Sequence, residues 1–191
     1  RPFRLYIRME FTVIILAAGK GTRMKSALAK PLHKVGGHPM LGWSIDAATA
    51  AGAKSIITVL SPGSESIQTW LNGTPFAIQE QQLGTGNAVA AARDAVEIDD
   101  GIAVVMFADT PLVTAESIAS LAHAIEDGAS LAVAAFEAAD PSGYGRVVRD
   151  GKGNITGIVE DRDATSKQRT IRLCNGGIMA ARTPLLFDLL A

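Results

Sequence analysis

A glycine-bearing loop, "LAAGKGTRM" at residues 16–24, follows a strand-like apolar run and combines small residues with cations. Four of its residues are small and leave the backbone amides open to a ligand: Ala17, Ala18, Gly19 and Gly21. Amides exposed in this way can form a nest that binds anions. Arg23 offers a planar fork that suits phosphate oxygens, and Lys30 adds a second cation. The loop therefore indicates a polyphosphate site, although spacing alone leaves open a plain turn with solvated cations.

Two common phosphate-binding motifs do not fit this loop. G-x-x-x-x-G-K-[ST] requires a glycine five residues before the second glycine and a lysine directly after it, and the loop has neither. G-x-G-x-x-G fits at Gly19 and Gly21, but Met24 stands where the third glycine is needed. Both a P-loop and a dinucleotide-binding fingerprint are excluded.

Polar groups also follow two other strand-like runs. The segment "QEQQLGTG" at residues 79–86 carries amides, which can pair with the donors and acceptors of a nucleobase. Asp109 follows the apolar run Ile102–Phe107, and a carboxylate at the end of a strand can hold Mg²⁺ beside phosphates. The residues alone leave two plainer alternatives: an exposed helix cap for the glutamines and a turn before Pro111 for Asp109.

Strand-like and helix-like segments alternate along most of the chain. The predicted strands are Thr12–Ala17, Ser55–Leu60, Phe76–Gln79, Ile102–Phe107 and Leu131–Phe136. The predicted helices are Pro39–Ala51, Ser64–Leu71, Gly86–Val96 and Ala115–Asp127. This order predicts a doubly wound α/β fold with a mainly parallel sheet. Such sheets bind ligands at the carboxyl ends of their strands, where all three polar loops lie.

The last third of the chain has a different pattern. In "GYGRVVRDGKGNITGIVED", two strand-like runs, Arg146–Arg149 and Ile155–Glu160, flank a glycine-bearing loop, which predicts a β-hairpin insertion. An apolar run at Gly177–Ala181 and a helical start at Pro184 follow.

Composition limits the class of protein. The 191 residues are 48% hydrophobic and 19% charged, as expected for one domain with a well-buried core. A net charge of -1 gives no general reason to expect nucleic acid or an anionic membrane as a partner. The single cysteine excludes an internal disulfide and a cysteine-rich metal site. No apolar stretch approaches the ~18 residues of a membrane span.

The N-terminus superficially resembles a signal peptide, since three arginines precede an apolar run. Glu10 interrupts the basic stretch, and cleavage would remove the glycine-bearing loop, so we expect no export and a cytoplasmic location. We expect residues 1–8 to be an extension upstream of the domain, which then covers residues 9–191.

Six motifs in order make the sequence resemble a known enzyme family: "LAAGKGTRM", "QEQQLGTGNA", "FADTPL", "GYGRVVR", "GIVEDRDAT" and "NGGI". They are similar to the N-terminal pyrophosphorylase domain of the bacterial bifunctional N-acetylglucosamine-1-phosphate uridyltransferase / glucosamine-1-phosphate acetyltransferases. The resemblance implies a Rossmann-like nucleotidyltransferase fold. It also implies that the domain is cut short after Ala191 and that the acetyltransferase β-helix domain is absent.

The resemblance assigns roles to matching residues. Catalytic roles fall on Arg23, Lys30 and Asp109, with Asp109 as a ligand of Mg²⁺. Nucleotide contacts fall on Leu16, Ala17, Ala18, Gly19, Gln79, Gln82, Gly84 and Thr85. Sugar contacts fall on Gly145, Glu160 and Asn175. Two departures bear on the site: Ala29 precedes Lys30 where proline is usual, and Phe107-Ala108 replace a Tyr-Gly pair.

The implied reaction joins UTP and N-acetylglucosamine 1-phosphate into UDP-N-acetylglucosamine and pyrophosphate, with Mg²⁺ as cofactor. The product is a precursor of cell-wall peptidoglycan and lipopolysaccharide. Full-length members are expected to be trimers through the acetyltransferase domain, and this chain is expected to be a monomer without nucleic-acid or membrane partners. The alternatives are another sugar-phosphate or molybdopterin nucleotidyltransferase, and a non-catalytic nucleotide-binding fragment.

Overall fold

The computed structural model describes residues 9–19, 21, 24–97 and 101–191. Its strands are β1 (Phe11–Leu16), β2 (Lys34–Val35), β3 (His38–Pro39), β4 (Ser55–Leu60), β5 (Phe76–Ile78), β6 (Ile102–Phe107), β7 (Leu131–Glu137), β8 (Arg146–Arg149), β9 (Ile155–Val159) and β10 (Leu173–Arg182). Its α-helices are α1 (Met40–Ala50), α2 (Glu65–Leu71), α3 (Thr85–Ala90), α4 (Ala115–Glu126), α5 (Ser166–Arg169) and α6 (Thr183–Asp188).

The chain divides into two compact units. The first consists of the residues up to Ala132 together with Met179–Ala191, and the second of Val133–Ile178. The boundaries fall within β7 and β10, so each unit takes part of both strands.

Parallel strands form the centre of the first unit. β1 lies between β4 and β6 and pairs with both in parallel, so that Ile14 stands opposite Ile57 and Val105. All six residues of β1 are buried. A strand covered on both faces is expected to be apolar without alternation, and the run "FTVIIL" meets that requirement.

Two further strands extend this sheet. β5 pairs in parallel with β4, and residues 179–182 of β10 pair antiparallel with β6. The strand order in the first unit is therefore β5-β4-β1-β6-β10. The predicted α/β fold with a mainly parallel sheet is confirmed.

Helices cover both faces of the sheet. Residues of α3 and α6, among them Ala88, Val89 and Phe187, share an apolar cluster with Ile14 and Leu16 of β1. Because side chains alternate along a strand, the neighbouring residues of β1 point to the opposite face. On that side α1 packs against α4, and these two helices contact β4 and β6 respectively.

The second unit is built around a β-hairpin. β8 and β9 pair antiparallel, with Val147 opposite Ile158 and a bulge at Val148/Arg149. Cys174 of β10 stands opposite Arg146 of β8, and β7 also pairs with β10. The predicted hairpin is present, and β9 ends one residue before the predicted Glu160.

The predicted helix Gly86–Val96 is wrong in its second half. α3 ends at Ala90, and a short 3₁₀ helix occupies Arg93–Ala95. Arg93 there lies over the ring of Phe187, 4.9 Å from its centroid, and donates to the Phe187 carbonyl at 2.5 Å. This tertiary contact outweighs the helix propensity of the alanines.

The run at Gly177–Ala181 is longer than predicted. β10 extends from Leu173 to Arg182, through two glycines that disfavour a strand on propensity. Gly176 is needed there because a Cβ would lie 3.0 Å from the Ala134 carbonyl oxygen. The hairpin of β2 and β3 was not predicted, and residues 1–8 lie outside the described part of the chain. No helix among the described residues is long and apolar enough to cross a membrane.

Candidate active site

A cavity of about 270 Å³ opens at the carboxyl ends of β1, β5 and β6. Its lining residues are Leu16, Ala17, Ala18, Gly19, Lys30, Pro31, Gln79, Gln82, Gly84, Thr85, Ala88, Phe107, Ala108 and Asp109. The three loops that the sequence singled out therefore meet at one place, as the topology of a parallel sheet predicts.

The loop after β1 is held by hydrogen bonds that continue the sheet beyond the strand. The Ala17 N–H donates to the Val59 carbonyl at 2.8 Å, and the Ala108 N–H donates to the Leu16 carbonyl at 3.0 Å. The first bond ties the loop after β1 to β4, and the second ties the segment after β6 to the end of β1. A Cβ on Gly19 would meet no atom within 4 Å in the part of the chain that the structure describes, and Gly19 lines the cavity.

Lys30 reaches the cavity from a short 3₁₀ helix, Lys30–Leu32, whose remaining residues are buried. Its ammonium group donates to the carboxylate of Asp109. Gly21 lies directly against Lys30: its φ is +59°, and an added Cβ would lie 2.7 Å from the Lys30 Cβ. Gly21 is therefore needed both for its backbone conformation and for the space that Lys30 occupies.

Asp109 stands just beyond the end of β6. Thr110 closes the turn there, since its hydroxyl donates to the Phe107 carbonyl at 2.8 Å. The side chains of Lys30 and Asp109 are 30% and 40% exposed, so the ion pair remains open to a ligand from the cavity. Among the described residues, no three acidic, histidine or cysteine side chains are grouped as a metal site.

Two glutamines of the loop after β5 have different environments. Gln79 is 4% exposed, and its Nε2 donates to the Gly84 carbonyl at 3.0 Å and to Asn87 Oδ1 at 2.9 Å. Gln82 is exposed and its Nε2 reaches the Ala18 carbonyl at 3.4 Å. Gln79 thus fixes its own loop, whereas Gln82 connects that loop to the one after β1.

The three residues matched to sugar contacts lie together in the second unit. The Asn175 N–H donates to the Gly145 carbonyl at 2.8 Å. A Cβ on Gly145 would lie 3.4 Å from Glu160 Oε1 and 3.6 Å from the Asn175 Cβ, so only glycine leaves this space open. Asn175 Oδ1 accepts from the Gly177 N–H at 3.0 Å, which fixes the orientation of its amide.

A buried arginine supports this cluster. Arg146 is 1% exposed, donates to the Tyr144 carbonyl, and contacts Asp161 Oδ1 at 2.9 Å through Nη2. Hydrogen bonds from the Gly143 backbone and from Arg146 hold the pKa of Asp161 below its ordinary value. Because Asp161 directly follows Glu160, the ion pair anchors the chain next to the matched carboxylate.

Comparison with known proteins identifies the family. Residues 13–168 match the family described as the MobA-like NTP transferase domain. The chain belongs to this family. Its NTP transferase domain is 46% identical over 182 residues to a bifunctional protein GlmU of Parvibaculum lavamentivorans and 47% identical over 181 residues to one of Maricaulis maris. These alignments cover 93% and 94% of this chain but 40% of each relative, so the chain spans less than half of their length.

A solved structure shares the fold of this NTP transferase domain. The structure of a UDP-glucose pyrophosphorylase complexed with UDP-glucose aligns with a TM-score of 0.73, over 95% of this chain and 79% of that one. The sequences are 18% identical, so this likeness concerns the fold.

The NTP transferase domain brings most of the sequence-predicted residues together. Every matched nucleotide residue lines the cavity, as do Lys30 and Asp109. Arg23 lies outside the described residues. The residues that sequence reasoning missed are the cavity-lining Pro31 and Ala88, and Asn87, which binds Gln79. Asn87 belongs to the motif "QEQQLGTGNA", but the sequence does not indicate which residue a polar side chain near the start of a helix will bind.

Proposed function

We propose that this NTP transferase domain joins UTP and N-acetylglucosamine 1-phosphate, releasing pyrophosphate and forming UDP-N-acetylglucosamine. The carrying observation is the cavity, in which the glycine-bearing loop meets the ion pair of Lys30 with Asp109. The identity of the sugar phosphate is inferred from the similarity of the six motifs to those of the bacterial uridyltransferases. In this proposal the enzyme works in the cytoplasm and supplies a precursor of peptidoglycan and lipopolysaccharide.

The glycine-bearing loop would bind the triphosphate. Backbone groups of residues 16–19 line the cavity, and the space beside Gly19 admits a ligand close to the main chain. Lys30 supplies a cation at the same place, and Arg23 is proposed as a second one from the sequence match alone. Fixed positive groups at the departing pyrophosphate stabilise the charge that develops there.

The loop after β5 would bind the base. Four residues between β5 and the start of α3 line the cavity: Gln79, Gln82, Gly84 and Thr85. Uracil has a donor between two carbonyl acceptors, which an amide and backbone groups can pair. Polar groups buried at such a site discriminate because a wrong base leaves them unpaired.

The site fits Mg²⁺. This ion keeps several waters and usually takes one or two carboxylates besides the substrate phosphates, and Asp109 offers a carboxylate at the cavity. Asp109 would hold the ion, which when bound neutralises phosphate charge and orients the phosphates. To do so, Asp109 must exchange its contact with Lys30, and the freed ammonium group can then turn to a phosphate oxygen.

No general base is needed for the proposed reaction. The second pKa of a phosphomonoester is near ~6, so the sugar phosphate is largely a dianion at neutral pH and can attack the α-phosphate in line. The protein has to align the two phosphates and stabilise charge. In the second unit, Gly145, Glu160 and Asn175 are proposed to hold the hydroxyls and the N-acetyl group of the sugar.

Calorimetric titration with UTP, GTP and UDP-N-acetylglucosamine, each with and without Mg²⁺, tests the proposal together with a pyrophosphate-release assay. We expect UTP to bind more tightly with Mg²⁺ and pyrophosphate to form only when N-acetylglucosamine 1-phosphate is added. Preferential binding of GTP would favour guanylyl transfer, and UDP-sugar binding without turnover would favour a non-catalytic module. Either result would contradict the proposed reaction.

A further inference from the structure

Asn87 binds the buried side-chain amide of Gln79 at the wall of the cavity. Gln79 is almost fully buried, and both hydrogens of its Nε2 have acceptors: the Gly84 carbonyl at 3.0 Å and Asn87 Oδ1 at 2.9 Å. Its Oε1 receives no hydrogen bond from the described residues, although Gln79 lines the cavity. The side chain therefore has one polar atom left to offer a ligand, and that atom is an acceptor.

The Gly84 carbonyl determines which end of the Gln79 amide faces it. A backbone carbonyl only accepts, so the atom 3.0 Å away must be the donor Nε2. Gly84 cannot turn away, because the same carbonyl also accepts from the Ala88 N–H at 3.1 Å as the first bond of α3. A rotated Gln79 amide would put two oxygens against each other in a buried place, which is strongly unfavourable.

We propose that Asn87 is a specificity-determining residue that selects uracil over cytosine by fixing the amide of Gln79 with its acceptor oxygen facing the base. The inference rests on the proposed binding of a pyrimidine nucleotide in the cavity. Uracil offers an N–H at ring position 3, which the fixed Oε1 accepts. Cytosine has a bare nitrogen there, so the same oxygen meets a second acceptor.

Asn87 completes this arrangement by taking the second hydrogen of Nε2. Without that acceptor, one buried N–H of Gln79 is left unpaired. Tilting the amide toward another acceptor then lowers its free energy and moves Oε1 away from the base. Asn87 is half-buried on α3, does not line the cavity, and therefore acts through Gln79. It is a positioning residue for base selection.

Matched substitutions at this position separate hydrogen bonding from packing. Asn87→Leu keeps the size of the side chain but removes the acceptor. Asn87→Asp keeps an acceptor at the same position, because both oxygens of a carboxylate accept. Gln81→Leu is the control, because Gln81 is an exposed amide of the same loop that does not line the cavity. Asn87→Ala serves in place of the leucine variant if that variant does not fold, as judged by circular dichroism.

The measurement is the ratio of Kd values for CTP and UTP in the presence of Mg²⁺, by calorimetry. We expect this ratio to fall about tenfold in Asn87→Leu, the equivalent of one lost hydrogen bond. It should stay at the wild-type value in Asn87→Asp and in Gln81→Leu. The added charge of aspartate affects the two triphosphates alike, so the ratio remains informative.

UTP binding with an unchanged ratio in the leucine or alanine variant would overturn the role of Asn87 alone. A fall in Asn87→Asp as large as in Asn87→Leu would do the same, because it would mean that shape and not the acceptor matters. If the wild-type protein bound neither nucleotide, the proposed function would fail as well.

Discussion

Lys30 and Asp109, which are 79 positions apart in the sequence, form an ion pair. It joins the segment that follows the glycine-bearing loop to the end of β6. Both groups are proposed to act on the same triphosphate, one on its oxygens and one on its metal ion. In the free protein they neutralise each other. In the proposed mechanism, substrate binding exchanges the contact between Lys30 and Asp109 for two others, Lys30 with phosphate and Asp109 with the metal ion. Metal binding is thereby linked to nucleotide binding.

Lys30→Met tests this link. Without the ammonium group, the Asp109 carboxylate loses the cation that the described residues place beside it, so the nucleotide-free protein should bind Mn²⁺ more tightly than wild type. Turnover should nevertheless fall by about 10²–10³, the usual effect of removing one group that stabilises transition-state charge. Electron paramagnetic resonance of free Mn²⁺ and pyrophosphate release measure the two effects.

Lys34→Met is the matched control for that variant, because Lys34 is exposed on β2 and does not line the cavity. It should change neither quantity. Weaker Mn²⁺ binding in Lys30→Met than in wild type would contradict competition between Lys30 and the metal.

Asp109→Asn should nearly abolish turnover while the fold persists. The amide keeps the size and can still accept from Lys30, but it loses the charge that holds Mg²⁺. The partly exposed ion pair contributes only about 0–1 kcal/mol to stability, so thermal unfolding should hardly change. Asp188→Asn, at the exposed end of α6, serves as control. Retained turnover in Asp109→Asn would remove Asp109 from the proposed metal site.

Two glycines of the loop after β1 should respond differently to alanine. Gly19→Ala adds a methyl group where no atom of the described residues lies within 4 Å, so the protein should fold normally. UTP binding should weaken by about 1–3 kcal/mol, the usual effect of overfilling a fitted contact. Calorimetry and thermal unfolding together check this, and unchanged affinity would mean that the nucleotide does not approach Gly19.

Gly21→Ala should instead lower the stability of the protein. Its φ of +59° is strained for alanine, and the new Cβ would lie 2.7 Å from the Lys30 Cβ. We expect a loss of about 1–3 kcal/mol in the free energy of unfolding. Urea unfolding measures it, and a value equal to that of Gly19→Ala would argue against the packing of Gly21 on Lys30.

The ion pair of Arg146 with Asp161 predicts a pH dependence of stability. The pKa of Asp161 is lowered in the folded protein, first by the Gly143 backbone and then by Arg146. A lowered pKa means that the stabilisation is present above the ordinary value of 3.8 and is lost as the pH falls through the folded value. Asp161→Asn should therefore be less stable than wild type at pH 7.

Below the folded pKa of Asp161, the two proteins should approach the same stability, because the wild-type carboxyl is then protonated as well. Urea unfolding at several pH values from 7 downward follows the difference. Asp163→Asn changes an exposed carboxylate two residues away and controls for the general loss of a negative charge. A difference that persists unchanged at low pH would show that charge at Asp161 does not stabilise the unit.

Local pattern was sufficient to predict the parallel part of the fold. The strands with continuous apolar runs were found within one residue, since β1 is Phe11–Leu16 and β6 is Ile102–Phe107. The meeting of three polar loops also followed from topology, because parallel strands end at a common edge. The α4 helix, predicted at Ala115–Asp127, begins at Ala115 and ends one residue earlier, at Glu126. The structure adds its cap, Thr114, whose hydroxyl accepts from the Ser117 N–H at 3.3 Å.

Contacts between distant residues could not be predicted in this way. The break after α3 depends on Arg93 stacking over Phe187, and the length of β10 depends on Gly176 fitting against Ala134. The bond from Gln79 to Asn87 likewise depends on how the loop after β5 folds back on α3. Contacts of this kind between side chains produce no periodic pattern in the sequence.

Because Cys174 is completely buried, its thiol can serve as a probe of local unfolding in the second unit. It is the single cysteine of the chain, it is 0% exposed, and it directly precedes Asn175 in β10. A thiol reagent can reach it only when the second unit opens locally, so the rate of labelling reports the free energy of that opening. Any compound that binds beside Asn175 should slow the labelling, which offers a way to detect sugar-phosphate binding without measuring turnover.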